Sequence, residues 1–207
     1  MTPLPRPVRA LLGRIAEFWV YGTLPTALLL LMLAPILLPG QTAAIVLAYL
    51  ALPAYMIHQV EEHDADRFRT FVNRWLGPSY AGLSIVQVAI INLGLVWLPL
   101  AATVGLTALV DPGWAAIAAW LMLVNATAHV AQGVVLGGYN PGLVTAGVLF
   151  LPLGIAILVV AEVSTGQHII ALAITLVLHA AIVVAARRPA PKQSPGTPAD
   201  GPDQSQP

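Results

Sequence analysis

Long stretches without a single charge limit what this chain can fold into. After Glu17 the next charged residue is Glu61, which leaves 43 uncharged positions over 18–60. Further uncharged runs cover 36 positions over 75–110, 50 over 112–161 and 24 over 163–186. A membrane-spanning helix needs about 20 apolar residues. The first three runs therefore have room for two helices each, and the last for one. Turn chemistry reduces seven to six. Leu38-Pro39-Gly40-Gln41 splits the first run and Gly137-Gly138-Tyr139-Asn140-Pro141-Gly142 splits the third, whereas the second has no central break and reads as one long helix with Pro99 near its far end. Asp111-Pro112-Gly113 closes that run, and Ser164-Thr165-Gly166-Gln167 opens the last helix.

Only helices or closed barrels satisfy their backbone in lipid, and these runs lack the alternation of barrel strands. The fold class is therefore all-α, a polytopic transmembrane bundle of six helices. They are expected over Glu17–Leu38, Ala43–Val60, Tyr80–Thr107, Trp114–Leu136, Gly142–Ala161 and His168–Ala186.

Only 9% of the chain is charged, against about 25% in an average soluble domain. That excludes an ordinary cytosolic enzyme and a disordered chain. A net charge of zero excludes a nucleic-acid binder, which needs a basic footprint. Without cysteine there is no thiolate metal site and no cysteine nucleophile.

The cations set an orientation. They lie at Arg6, Arg9 and Arg14, at Arg67, Arg69 and Arg74, and at Arg187, Arg188 and Lys192. With six helices these three segments share one side, and the positive-inside rule makes that side cytoplasmic. Both termini are then cytoplasmic in a plasma-membrane protein. A basic start and a Leu-rich core also fit a cleaved signal peptide. Against it stand the length of the apolar stretch, the missing A-x-A site and the even helix count. The expected organisation is a basic N-terminal segment (1–14), a membrane domain (15–186) and a proline-rich tail (187–207). The tail has six prolines and no Leu, Ile, Val or Phe, so it is expected to be disordered. No internal repeat is evident.

Ionisable groups within a bilayer are costly and usually functional. At the end of the second helix, Glu61 and Glu62 stand three and four residues after His58, which puts all three on one helix face. A histidine with carboxylates one turn away is metal-ligand geometry. The bland alternative is a helix end emerging into water, which suits Asp64, Asp66 and His63 best. Other polar residues fall at the same depth: Asn125 and His129 on the fourth helix, His179 on the sixth, Glu17 on the first and Gln87 on the third. Pro53 frees a carbonyl that could bend the second helix. His58, Glu61, Glu62 and His129 form the expected metal set, with His179 as a further ligand. Glu61 and Glu62 are also the candidates for acid–base work. Tyr139 and Asn140 sit in good turn chemistry ten and eleven residues after His129, close enough to cap the site. His168 and Glu162 lie at the outer rim without evident partners.

His58-Gln59-Val60-Glu61-Glu62, then Asn125 through His129, then Tyr139-Asn140-Pro141-Gly142 with Leu143-Val144-Thr145-Ala146, resembles the HXXEE-domain family of small multi-helix membrane proteins. The resemblance covers about residues 15–186. It implies that His58, Glu61 and Glu62 are the naming motif and His129 the later histidine. The family is described as of unknown function, so it implies a site and no reaction.

Two classes of function stay open. One is a membrane enzyme that depends on a divalent or transition metal ion and takes a lipidic or isoprenoid substrate from the inner leaflet, with membrane lipids as its surroundings. The other is a small proton or cation carrier using the same cluster. A structural subunit with the cluster as polar glue is a weaker third.

Overall fold

The computed structural model describes residues 5–190. It is all-helical, with no strand among the described residues. Six helices are long and apolar enough to cross a membrane. They are α1 (Arg6–Leu37), α2 (Ala43–His63, continuing through a kink into α3, Arg67–Leu76), α4 (Ile85–Leu109), α5 (Pro112–Leu136), α6 (Leu143–Val160) and α7 (Thr165–Ala186).

Two helix starts and the tail differ most from the sequence expectation. α1 begins at Arg6 rather than Glu17. Pro7 sits in its first turn, where the missing N–H costs nothing, and nothing between there and Glu17 breaks a helix; charge marks depth rather than a helix end. α4 begins at Ile85 rather than Tyr80, behind a capping box in which Ser84 and Gln87 satisfy each other's backbone. Gln87 is thereby spent as a cap and does not reach the expected polar layer. The residues just before it bond to the chain after α7 instead, with Ala81 N donating to Arg188 O at 2.7 Å and Ala190 N to Ser79 O at 3.1 Å. Residues 187–190 are thus held, contrary to the expected disorder of the whole tail; 191–207 lie outside the described residues.

The α3 helix was not expected at all. Ala65 and Asp66 take left-handed backbone angles, φ 52° and 59°, and turn the chain out of α2. Phe68, Phe71, Val72 and Trp75 then recur at helical spacing against Arg67, Arg69 and Arg74, the pattern of an interfacial amphipathic helix. Arg67 pairs with Asp64 and Arg69 with Asp66.

α2 and α5 form the centre of the bundle. They meet through small residues, Ala44, Ala48, Ala51 and Ala54 against Ala115, Ala118, Ala119 and Ala126, which lets membrane helices approach closely. Tyr55 Oη donates to the Leu121 carbonyl at 2.9 Å and ties them. α1 and α4 pack on the α2 side, while α6 and α7 pack on α5. α4 and α6 each contain a π-helical stretch, Ile91–Trp97 and Ala146–Phe150. Each ends one residue before a Leu-Pro step, at Pro99 and Pro152; a widened turn relieves the clash of a proline ring with the preceding turn. The π stretch of α4 turns Asn92 inward, where its Oδ1 accepts from Gln59 Nε2 at 2.8 Å. Trp97 Nε1 donates to Gln59 Oε1 at 2.7 Å.

All the described arginines gather at one end of the bundle, where Trp19 packs on His63. At the other end Gln167 Nε2 donates to Asp111 at 2.7 Å and Trp120 Nε1 to His168 at 3.2 Å, which gives His168 the partner the sequence did not reveal. Gln59→Leu leaves Asn92 Oδ1 and Trp97 Nε1 unpaired in an apolar interior, at about 1–3 kcal/mol each. The apparent melting temperature in detergent should fall clearly, with a smaller fall for Trp97→Phe, as followed by circular dichroism.

Candidate metal centre

The last turn and a half of α2 directs its polar side chains at three neighbours. His58 and Glu62 are four residues apart and share a face. His58 is fully buried and Glu62 is 6% exposed. From α5, His129 reaches the same carboxylate. His58 Nε2 lies 3.4 Å from Glu62 Oε2, and His129 Nε2 lies 3.5 Å from Glu62 Oε1. The ligand atoms of His58, Glu62 and His129 all lie within 4.8 Å of one another, close enough to hold a metal ion. Distances of 3.4 and 3.5 Å are long for a hydrogen bond. Each is close to the separation of about 3.4 Å between two ligand atoms about 2.1 Å from one metal, with the two histidines measured to different oxygens of Glu62.

Outer contacts decide which nitrogen of each ring carries the proton. Thr145 Oγ1 donates to Glu61 Oε2 at 2.5 Å. Its lone pairs are left to accept, so His58 Nδ1, 2.8 Å away, is the donor. Asn140 Nδ2 donates to the His129 carbonyl at 2.8 Å, which leaves Oδ1 to accept from His129 Nδ1 at 2.7 Å. With both protons on Nδ1, both Nε2 lone pairs face the oxygens of Glu62. Ligating histidines are commonly held by such outer partners.

Phe150 lies on His58, ring centroids 4.3 Å apart. Gly142 closes the other side at φ +98°, and a Cβ there would stand 2.7 Å from His129 Cε1 and 2.8 Å from His58 Cε1. Both the backbone angle and the space therefore require glycine. Phe150 carries no signal of a site role in the sequence, whereas Gly142 and Thr145 lie in the motif that resembles the HXXEE family, which assigns no role to either.

Glu61, expected as a ligand or proton-transfer group, does not join the cluster. Its carboxylate turns to the N-terminus of α6 and accepts from Val144 N at 3.1 Å, Thr145 N at 2.7 Å, Thr145 Oγ1 and Tyr139 Oη at 3.1 Å. An anion is favoured there by the unpaired N–H groups and the helix dipole. Partial burial, and then Glu61 itself, push the Tyr139 phenol above its usual range, so Tyr139 stays a donor at neutral pH. Tyr139 and Asn140 hence both act, the first on Glu61 and the second on His129.

His63, expected in solvent, is 6% exposed. It sits between Trp19 and Phe68, ring centroids 5.2 Å from each, with Nε2 3.1 Å from Glu62 Oε2. His179 donates from Nδ1 to the Thr175 carbonyl at 2.9 Å and stands outside the three-residue cluster. It lines a cavity of about 520 Å³ together with Glu62, His63, Asn125 and His129; Asn125 Oδ1 is buried there without a partner. Glu17 is exposed on α1, away from the cluster.

Residues 49–157 match a family model described as "Protein of unknown function with HXXEE motif". The chain belongs to the HXXEE family. The matched segment holds the motif His58, Glu61 and Glu62, and also His129, Asn140, Gly142 and Thr145. No curated protein and no solved structure matches the chain. Within this HXXEE protein the two motif glutamates separate, Glu62 facing the histidines and Glu61 holding α6. Nitrogen-15 correlation spectra of the histidine rings, recorded in detergent at neutral pH, should place the proton of His58 and of His129 on Nδ1. Thr145→Val should disturb His58 and leave His129 unchanged.

Proposed function

We propose that His58 Nε2, His129 Nε2 and the Glu62 carboxylate bind one divalent transition-metal ion, and that the protein is a membrane-embedded metal-dependent enzyme for a lipophilic substrate. One observation carries this reading. Two imidazole lone pairs and a carboxylate face one another in a buried site, and the protons that could separate them are committed to Thr145 and Asn140. Lone pairs so arranged repel unless a metal ion or a second ring proton lies between them, and separations of 3.4 and 3.5 Å are long for a proton-bridged contact.

The donor set narrows the cation and its use. Imidazole and carboxylate without thiolate suit zinc, iron or manganese. Structural zinc sites close with four protein ligands, whereas two histidines and one carboxylate leave positions for water or substrate. A metal held there supplies Lewis acidity or an activated oxygen ligand. The protein residues hold and orient: Glu61 fixes Thr145, Thr145 fixes His58, and Asn140 fixes His129. Glu62, His63 and His129 form part of the cavity wall, so a metal held by Glu62 and His129 would border a mostly apolar chamber. Toward the far end α2 and α5 meet through alanines, which favours a site served from one side over a carrier. The arginines at that one end, with the positive-inside rule, make it the cytoplasmic end of a plasma-membrane protein with both termini inside.

Purified in detergent without chelators, the protein should carry about one transition-metal ion per chain by elemental analysis. Glu62→Gln and His129→Gln should abolish it, and Gly142→Ala should disrupt it by separating the rings. Asn140→Ala and Thr145→Val should weaken affinity about 10–100-fold. Wild-type protein that stays metal-free after incubation with zinc, ferrous iron and manganese would overturn the reading.

A further inference from the structure

The chamber beside the cluster carries features the metal reading does not use. Its walls are the end of α2 with α3, α4, α5 and α7, and its lining is largely apolar, including Phe68, Phe71 and Trp75 from α3 and Leu95, Val135 and Ile182 from the helices around them. A volume of about 520 Å³ falls within the range of small-molecule sites. Several lining residues are also outward-facing: Trp75 is 60% exposed, Val135 79% and Val183 49%. An opening rimmed by exposed apolar side chains on a membrane helix bundle faces hydrocarbon, not water. α7 packs chiefly along α5 and reaches α4 near the arginine end, where Ile182 and Ala186 close on Leu83 and Val88.

That end is positively charged. Arg187 lines the chamber itself. Leu83 borders both the chamber and a second, polar hollow, which is lined by Arg69, Asn73, Ser84, Gln87 and Arg188. Arg69 is answered by Asp66. Among the described residues Arg187 and Arg188 form no ion pair; the Arg188 guanidinium only donates from Nε to the Ala185 carbonyl. Two arginines without a carboxylate partner among the described residues, at the end of a spanning helix and beside an apolar chamber, match an amphiphile with its anionic group at the interface and its chain inside.

We propose that the chamber binds a membrane lipid with a phosphate-bearing anionic headgroup, its chain between α3, α4, α5 and α7 and its headgroup at Arg187 and Arg188. The proposal deepens the metal reading, because this lipid is then the substrate class presented to the cluster. Binding itself needs no metal, so the two can fail separately.

Native mass spectrometry of the full chain in detergent tests it, with phosphatidylglycerol and phosphatidylcholine of identical acyl chains as probes. One phosphatidylglycerol per chain should be retained in preference to phosphatidylcholine. At about tenfold per 1.4 kcal/mol and about 1 kcal/mol per arginine near the headgroups, Arg187→Gln with Arg188→Gln should weaken it about thirty-fold. Ala131→Trp, which fills the chamber and leaves the arginines in place, should also release the lipid, with helicity checked by circular dichroism. Glu62→Gln should keep the lipid while losing metal. Equal retention of the two lipids, displacement by millimolar inorganic phosphate alone, or full affinity in the double arginine variant would each overturn the proposal.

Discussion

A carboxylate partly or fully buried at the end of a membrane helix has to be answered by positive charge or by donors, and Glu61 and Glu62 receive different answers. The Glu61 carboxylate has four donors, three of them from the start of α6. That fixes α6 against α2 and leaves Thr145 with only lone pairs to offer His58. Glu62 has no backbone or hydroxyl donors: around it stand His63 Nε2 at 3.1 Å and the Nε2 atoms of His58 and His129, whose Nδ1 atoms donate to Thr145 and Asn140. The first glutamate is a fastener, and its fastening sets the polarity of the second one's surroundings. Gly142 belongs to the same arrangement, since any side chain there would enter the space between the two rings.

The neighbouring residues of α2 extend the pattern. Successive helix positions advance by about 100°, so about two turns can address several partners. Tyr55 reaches the α5 backbone, His58 and Glu61 reach α6, Gln59 reaches Asn92 and Trp97 on α4, and Glu62 meets His129 on α5. α2 holds the bundle by polar contacts near the arginine end and by alanine packing through the rest. A buried polar network in an apolar bundle is costly unless complete, which is why one short segment specifies so much of the assembly.

The charge gaps made the six spans legible, because desolvating a charge outweighs every local propensity. They hid whatever charge does not govern. α3 is amphipathic at Phe68, Phe71, Val72 and Trp75, a period present in the sequence but interleaved with Arg67, Arg69 and Arg74, whose charge marks the segment as lying outside the apolar spans. The continuation of α1 back to Arg6 is propensity acting beyond the apolar stretch. At the site, spacing could say that His58, Glu61 and Glu62 share a side of α2. It could not say which neighbour each would meet, since i+3 and i+4 differ by about 100° and the identity of the facing helix is tertiary. His63 fell to the same limit: its burial depends on Trp19, forty-four positions earlier, and on a turn at Ala65 and Asp66 that few non-glycine residues adopt. His129 was legible because a histidine deep in an apolar run has few other reasons to exist.

The family match ends at residue 157, before α7 begins. The three cluster residues and the partners that orient them, Thr145 and Asn140, lie inside the match. His179, Ile182 and Arg187, which form one wall of the chamber, lie outside it. The His/Glu cluster and the outer wall of the chamber therefore occupy different parts of the chain. The cluster needs only α2, α5, α6 and the turn between the last two, whereas the chamber is closed by a helix that packs mainly on α5 and meets α4 near one end. A bundle built this way can keep its buried centre rigid while the wall that meets the bilayer decides what reaches it.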